Sequence, residues 1–288
     1  MILKTIQTAA EFLHETQATL EENEAANNLM YGLALRLQRY PERIKTPPYF
    51  AVVRRKSGLQ AAALMTPPHN LVVYSTNNDY SIEAFDLVAR SLRQGPWPVP
   101  GVLGPRDAAL AFAKVWMRLS GEGYRLGLHE RIYELRKVIP PPPPSGRMRP
   151  ASFDDLERLV AWFTEFWTEA MPEEQYTFED ALEAARLKIS DGDLFIWEDG
   201  GPVAMVGRSR PTPNGCCIGP VYTPPQLRRK GYAGALTAAV SQLLLDSGKK
   251  FTALFTDLSN PTSNSIYMKI GYRPVGDFDQ YWFDKDNA

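Results

Sequence analysis

Five consecutive prolines interrupt the chain near its midpoint, at Pro140 to Pro144, and Ser145 and Gly146 follow them. Proline fixes its own φ angle and lacks a backbone N–H, so neither a helix interior nor a central strand can cross such a run. An extended polyproline segment is typical of a semi-rigid linker, and it can also serve as a ligand for a proline-binding domain. We interpret it as a linker over residues 140–146, between a first domain at 1–139 and a second at 147–288.

The composition fits two globular domains and argues against several classes of function. The 288 residues are 44% hydrophobic and 23% charged, which is enough apolar material for two cores. A net charge of -1 argues against a nucleic-acid partner or an anionic membrane surface, since such proteins carry excess Lys and Arg. The chain lacks an apolar run of about eighteen residues, so we expect no membrane association and a cytoplasmic location. Two adjacent cysteines and three scattered histidines predict neither a disulfide nor a metal site.

A loop rich in basic residues and glycine precedes a predicted helix in the second half. The apolar strand over 216–223 ends at Pro224, and the helix over 233–245 ends before Gly248. A helix start presents unpaired N–H groups and the positive end of its dipole, and small residues there let an anion approach the backbone. The sequence therefore predicts a site for a pyrophosphate group. The alternative is a well-capped surface helix with a basic first turn.

A second segment, about thirty residues further on, has the signals of a strand followed by a short helix. Residues 251–256 alternate as in a strand, Asn260 can cap a helix that begins with the next proline, and Gly271 ends it. Asn264 and Tyr267 lie three positions apart and therefore share one helix face. A phenol with an ordinary pKa of about 10 stays protonated at neutral pH and can donate its proton. The alternative for Tyr267 is a half-buried aromatic ring with its hydroxyl at the surface.

The basic loop spells Arg228-x-x-Gly231-x-Ala233, and neither a P-loop nor a dinucleotide-binding fingerprint occurs in the sequence. The pattern resembles the Q/R-x-x-G-x-G/A signature of the GCN5-related N-acetyltransferases (GNAT), whose loop binds the pyrophosphate of acetyl coenzyme A. The resemblance implies that Tyr267 protonates the departing thiolate as the catalytic acid. It also implies that backbone N–H groups near 221–223 polarise the thioester carbonyl. The coenzyme-binding residues that it implies are Val221, Tyr222, Thr223, Arg228, Arg229, Lys230, Gly231, Tyr232, Ala233, Gly234, Asn260 and Asn264.

The order of predicted elements over residues 146–284, β-α-α-β-β-β-α-β-α-β, is similar to that of the same family. The first half resembles the second in a weaker form, because similar hairpins and strands occur at 50–75 and 195–223, although such elements also recur in unrelated domains. Between Asn77 and Arg93 it has no glycine and no basic cluster. We therefore expect an α+β (mixed α/β) protein of two GNAT-like domains, each with a central mixed, mostly antiparallel sheet flanked by helices. The first is expected to be a degenerate copy that does not bind coenzyme, and the second to be catalytic.

The resemblance implies an N-acetyltransferase (acyltransferase) that uses acetyl coenzyme A and moves its acetyl group to a primary amine by direct attack. The acceptor is expected to be a small molecule or a peptide, and the sequence specifies neither the amine nor the oligomeric state. The alternatives are a non-catalytic acyl-CoA-binding sensor or interaction module, and a nucleotide-dependent enzyme, which the absence of a P-loop Lys-Ser/Thr pair disfavours. The general base is open among Glu165, Glu169, Glu173, Glu174 and Glu198. The strand over 216–223 has no acidic residue, so a base that acts through water is the alternative.

Overall fold

The computed structural model describes residues 1–76 and 81–284 of the chain. The Cα packing divides the chain into two units. The first unit comprises Met1–Ile132, Thr256–Asn260 and the residues from Pro274 onward. The second unit comprises Tyr133–Phe255 and Pro261–Arg273. The predicted start of a helix near Asn77 lies outside the described residues.

Helices and strands follow one another in the same order in both halves of the chain. In the first half they are β1 (Ile2–Ile6), α1 (Ala9–Glu21), α2 (Asn28–Arg39), β2 (Tyr49–Arg55), β3 (Gly58–Met65), β4 (Leu71–Ser75), α3 (Ser81–Gln94), β5 (Gly101–Pro105), α4 (Arg106–Ser120) and β6 (Tyr124–Leu135). In the second half they are β7 (Arg147–Pro150), α5 (Leu156–Ala170), α6 (Phe178–Ser190), β8 (Leu194–Glu198), β9 (Pro202–Ser209), β10 (Gly215–Tyr222), α7 (Tyr232–Asp246), β11 (Phe251–Asp257), α8 (Pro261–Lys269) and β12 (Arg273–Phe283). The order predicted for the second half is the observed one.

The first unit is built on a sheet with the strand order β1-β2-β3-β4-β5-β12. β4 and β5 are parallel, and the other neighbours in this order are antiparallel. The predicted last strand, at 279–283, is the C-terminal part of β12. It pairs with β5 from Phe278↔Pro105 to Trp282↔Gly101. The first unit thus takes one of its strands from the other end of the sequence.

The second unit has the strand order β6-β11-β10-β9-β8-β7, in which β6 contributes its last residues from Tyr133 onward. β10 and β11 are parallel, whereas β10–β9, β9–β8 and β8–β7 are antiparallel. Both sheets are therefore mixed and mostly antiparallel. This architecture confirms the predicted fold class.

Apolar side chains cover both faces of each sheet. In the first unit, α1 and α2 pack on one face around Phe12 and Tyr31, and α3 and α4 pack on the other around Phe85 and Phe112. In the second unit, α5 and α6 form one core around Phe163, and α7 and α8 form another. Neighbouring residues of β8 enter these two cores alternately, as the pleat of a strand requires.

Residues 140–146 form neither helix nor strand. The carbonyl of Ser145 accepts a hydrogen bond from Trp197 Nε1 at 2.8 Å, and Ser145 Oγ donates to Asp199 at 2.6 Å. These bonds hold the end of the segment to the second unit. The packing places residues 133–139 with the second unit and most of β12 with the first. The domain boundaries at 139 and 147 stay a prediction from the sequence.

A salt-bridged aspartate fixes the start of α5 against β7. Asp155 is buried, and its two carboxylate oxygens accept hydrogen bonds from Arg149 at 2.7 Å each. It also accepts a hydrogen bond from the backbone N–H of Ser152 at 2.9 Å, as in a capping box. Arg149 reaches Glu198 of β8 as well, at 2.9 Å. The hydrogen bonds from Arg149 hold the pKa of the Asp155 carboxyl below its usual range.

We predict that Asp155→Asn lowers the free energy of unfolding by roughly 1.5–3 kcal/mol at pH 7, because hydrogen bonds to a charged group are lost. The folded-state pKa lies below the unfolded value, so this stabilisation is complete above about pH 5 and is lost as the pH falls through the folded-state value. Urea denaturation of both proteins from pH 7 to pH 3 measures the difference. The exposed neighbour provides the control, since Asp154→Asn should change stability by less than about 0.5 kcal/mol. A difference that does not depend on pH would contradict the ion-pair role.

Candidate functional site

The two parallel strands of the second unit pair only at their N-terminal ends. β10 and β11 share the register pairs Gly215↔Phe251, Cys216↔Thr252 and Cys217↔Ala253, and their pairing ends there. β10 continues along β9, but its register shifts between Ile218 and Val221. Gly219 has a φ of +155°, and Pro220 cannot donate a ladder hydrogen bond, so both residues suit a bulge. Residues 218–222, which we call the open end of β10, therefore have no strand partner on the β11 side.

Side chains of the open end point alternately to the two faces of the sheet. Val221 packs against the core of α7 and α8, which also contains Tyr232 and Tyr267. Tyr222 enters the core of α5 and α6 on the other face. The open end thus lies between two different groups of side chains.

The segment that leads from β10 into α7 has the geometry of an anion-binding loop. Arg229 and Gly231 have φ angles of +66° and +86°, both in the left-handed region. α7 begins at Tyr232, and no side chain caps it at Gly231. The N–H groups of its first turn are therefore available to solvent or a ligand, and left-handed residues beside a helix start make such groups converge. This loop can hold a negatively charged group at the positive end of the helix dipole.

The three cations of this loop differ in their contacts. Arg229 and Lys230 are exposed, and neither makes a hydrogen bond or salt bridge with any described residue. Arg228 instead turns toward α5, where it donates to the two carboxylate oxygens of Glu169 at 2.8 and 2.6 Å. Its Nε donates to the carbonyl of Thr223 at 2.9 Å. Arg228 therefore braces the loop against α5, and the other two cations are available to an anion.

Tyr232, Ala233 and Gly234 form the first turn of α7. The Tyr232 hydroxyl donates to Asp199 at 2.6 Å, which ties the helix start to the turn between β8 and β9. Ala233 is half-buried beside it. A Cβ atom at Gly234 would lie 3.3 Å from Ile266 Cγ2, so this glycine lets α7 approach α8 closely. α8, which carries Tyr267, thus packs directly against α7, the helix that follows the anion-binding loop.

Tyr267 lies on α8 and is 8% exposed. Its ring packs edge-on against Tyr272, with centroids 6.0 Å apart. Burial raises the pKa of the Tyr267 hydroxyl, so the phenol stays protonated across the neutral range. No group within residues 1–76 and 81–284 forms a hydrogen bond with this hydroxyl. The hydroxyl can therefore form a hydrogen bond with a ligand.

The other three tyrosines of the core between the sheet and α7 and α8 each have a partner. Tyr272 bonds to Ser241 at 2.9 Å and Thr252 at 2.8 Å, Tyr133 donates to Asn264 at 2.8 Å, and Tyr232 donates to Asp199 at 2.6 Å. Tyr267 is therefore the exception within one shared core.

No sequence motif indicates a role for Tyr272, although this residue directly follows the glycine at the end of α8. The structure buries this residue and places its hydroxyl between Ser241 of α7 and Thr252 of β11. It thereby fixes the ring against which Tyr267 packs. The glycine exit was the available sequence signal, but the two hydroxyl partners lie elsewhere in the sequence.

The two asparagines of the predicted site occupy different environments. Asn264 is buried, and its Oδ1 accepts the hydrogen bond from Tyr133 of β6. Asn260 is exposed in the turn before α8, which begins at Pro261. Asn264 therefore helps to hold α8 against β6, and contacts of either asparagine with a coenzyme stay predictions.

Two further surveys cover the described ranges, 1–76 and 81–284. No group of three or more His, Cys, Asp or Glu side chains there could hold a metal ion. No helix there combines the length and the apolar character that a membrane span needs. Both cysteines, Cys216 and Cys217, are buried and unlinked.

Comparisons with known proteins agree with this geometry. Residues 198–283 match the FR47-like protein family, and no curated protein sequence matches the chain significantly. An acetyltransferase of the GNAT family from Colwellia psychrerythraea has a similar structure, with a TM-score of 0.61 and 14% identity over 99% of this chain and 100% of that one. A GCN5-related N-acetyltransferase from Sphaerobacter thermophilus has a TM-score of 0.62 and 18% identity, covering 97% and 94%. A tandem GNAT protein from the clavulanic acid biosynthesis pathway has a TM-score of 0.59 and 12% identity, covering 100% and 99%.

We predict that Gly231→Ala lowers the free energy of unfolding by about 1–2 kcal/mol, because an alanine is strained at a left-handed φ. No atom lies within 4 Å of the added Cβ, so crowding adds nothing to this loss. Gly231→Asn should cost less, since asparagine tolerates the left-handed region. Urea denaturation of the three proteins makes the comparison. An alanine variant as stable as the wild type would mean that residue 231 is not left-handed.

Proposed function

We propose that this chain, which has the fold of the GCN5-related N-acetyltransferases, is an N-acetyltransferase that moves the acetyl group of acetyl coenzyme A to a primary amine. One observation supports this most. Tyr267, whose ring is buried and whose hydroxyl has no partner among the described residues, lies on the helix that packs against the start of α7. There the uncapped, left-handed loop offers converging N–H groups. An anion site at the start of one helix and a free phenol on the helix packed against it together suit acyl transfer from coenzyme A.

The loop before α7 suits the diphosphate of the coenzyme. Unpaired N–H groups at residues 231–234 supply directed hydrogen bonds, and the exposed side chains of Arg229 and Lys230 supply positive charge. The open end of β10 adds backbone groups without a strand partner, which fits the proposed role of 221–223. When bound, acetyl coenzyme A supplies an acyl group activated as a thioester.

Tyr267 is proposed to donate its proton to the sulfur that leaves. Because burial raises the pKa of this phenol, it still carries its proton at the pH where an amine becomes nucleophilic. Tyr272 holds the ring in place through its contacts with α7 and β11. The acceptor is proposed to be a small molecule or peptide amine, without nucleic-acid or membrane partners, in the cytoplasm.

Removing the Tyr267 hydroxyl tests the acid role. We predict that Tyr267→Phe lowers kcat roughly 100-fold or more while the Kd for coenzyme A is unchanged, because only proton donation is lost. A thioester-cleavage assay with pooled amines, amino acids and peptides measures kcat, and calorimetry measures Kd. Tyr124→Phe is the control, since that half-exposed tyrosine lies in the first unit. Equal kcat values for Tyr267→Phe and wild type would remove Tyr267 from the mechanism.

Reversing the charge of the two free cations tests where the coenzyme binds. At a hundredfold excess over Kd, coenzyme A should stabilise the wild type by roughly 2.7 kcal/mol. We predict that changing Arg229 and Lys230 together to Glu abolishes this gain, because the diphosphate would face two carboxylates. Changing the exposed Lys56 and Lys114 to Glu alters the net charge equally and should leave the gain intact. Thermal denaturation with and without coenzyme reports the result, and an unchanged gain in the loop variant would place the ligand elsewhere.

A further inference from the structure

The open end of β10 faces two groups of side chains, and the proposed function uses only one of them. Tyr267, α7 and α8 lie on one face of the sheet, whereas Tyr222, α5 and α6 lie on the other. If the coenzyme is held by α7 and α8, as proposed above, the amine reaches the acyl carbon from the face of α5 and α6. Groups of α5 that contact the open end are therefore the ones that meet the amine.

Glu165 of α5 is tied to the last residue of β10. Its Oε2 accepts a hydrogen bond from the Tyr222 hydroxyl at 2.6 Å. Tyr222 is buried and Glu165 is exposed, so the pair extends from the sheet to the surface. Burial, reinforced by the hydrogen bond to Glu165, raises the pKa of Tyr222, and the phenol therefore keeps its proton. The other oxygen of Glu165 has no hydrogen bond among the described residues and is available to an incoming N–H group.

The remaining acidic residues considered for the general base are committed elsewhere. Glu169 is paired with Arg228, Glu174 accepts a hydrogen bond from Tyr176, Glu198 is paired with Arg149, and Glu173 is not free. Glu169 and Glu198 thus already have a cationic partner, whereas Glu165 has none among the described residues. Glu165 differs from Glu169, Glu174 and Glu198 because its partner is a residue of the open end.

We propose that Glu165 is the general base and that the acceptor binds as an alkylammonium between Glu165 and the open end of β10. An ammonium cannot attack a carbonyl, because its lone pair carries a proton. The carboxylate attracts the cation and removes that proton at the position where the amine must react. The neighbouring charges are Glu169 and Arg228, which neutralise each other across their salt bridge. The negative charge that faces the amine is therefore that of Glu165.

The proposed step balances in protons and electrons. One proton passes from the ammonium nitrogen to Glu165, and the freed lone pair forms the C–N bond to the acyl carbon. The C–S bond breaks with its electron pair on sulfur, which takes the proton of Tyr267. The nitrogen then loses a second proton, which returns to Tyr267 through solvent, and Glu165 releases its own proton to solvent.

Replacing the carboxylate by an amide tests this assignment. Glu165→Gln keeps an oxygen that can accept the Tyr222 hydrogen bond but cannot take a proton. With the best of n-butylamine, phenethylamine, 1,4-diaminobutane and N-α-acetyl-lysine, kcat/KM should fall roughly 100- to 10,000-fold at pH 7. The stabilisation by coenzyme A should stay unchanged. As the pH approaches the pKa of a primary amine, about 10.4, the free amine increases and the variant should regain activity relative to wild type.

Two further variants make the test decisive. Glu157→Gln changes an exposed glutamate of the same helix and should match the wild type at every pH. Glu165→Asp keeps a carboxylate and should be more active at pH 7 than Glu165→Gln, whatever the stability of the amide variant. Equal activity of Glu165→Gln and wild type, or a loss that is the same at every pH, would overturn the base role and leave the acetyltransferase standing. A wild type that turns over none of the four amines, and none of the pooled amines, amino acids and peptides, would overturn both proposals.

Discussion

The proposed site depends on one constraint, which is that β10 stops pairing with β11 after Cys217, before β10 itself ends. β10 and β11 separate after Cys217 and leave a gap in the middle of a sheet. Backbone N–H and C=O groups at such a position normally bond to the neighbouring strand. Gly219 and Pro220 make the parting possible because they form a bulge on β10 and remove one donor. A ligand placed in this gap can contact backbone on one edge and side chains from both faces. The anion loop, Tyr267 and Glu165 are all arranged around that one opening.

The hydrogen bonds of the tyrosines show how this opening is kept in shape. A buried hydroxyl is costly without a partner and strongly held with one, because the local dielectric is low. Tyr272 and Tyr133 use their hydroxyls to fix α8 against α7, β11 and β6. The position of the Tyr267 ring is therefore fixed by the hydrogen bonds of Tyr272 and Tyr133, and its own hydroxyl does not take part. Its hydroxyl can then remain available without loss of order, which is what a proton donor in a fixed position needs.

The sequence could predict those parts of the site whose signals are local. Prolines, left-handed glycines and a helix start act on the backbone within a few residues, so the loop at 228–234 and the beginning of α8 were recognisable. The sequence could not predict contacts between distant residues, such as those of Tyr222 with Glu165 and of Tyr133 with Asn264. The pairing of β12 with β5 is of the same kind, since alternation marks a strand but not its neighbour. The sequence indicated that Arg228 lies in the loop, but it did not indicate that the side chain turns toward Glu169 of α5.

A comparison of the two halves distinguishes features that come from the backbone fold from features that come from particular side chains. β4 and β5 also part early, since they pair only at Leu71↔Val102 and Val72↔Leu103. At this end the first unit has a cavity of about 370 Å³, and its lining includes Arg106 and Asp277. Those two side chains are joined by a salt bridge of 2.9 Å, and Arg131 binds the same aspartate at 2.7 Å.

The helix that follows β5, α4, contains no tyrosine, and its first residue, Arg106, forms a salt bridge with Asp277. Parted strands are therefore a property of the shared fold, whereas acyl-transfer chemistry needs particular groups around them. Beside β10, an uncapped left-handed helix start and the phenol of Tyr267, which has no partner among the described residues, occur together. In our proposal, these groups rather than the shared order of elements give the second unit its activity.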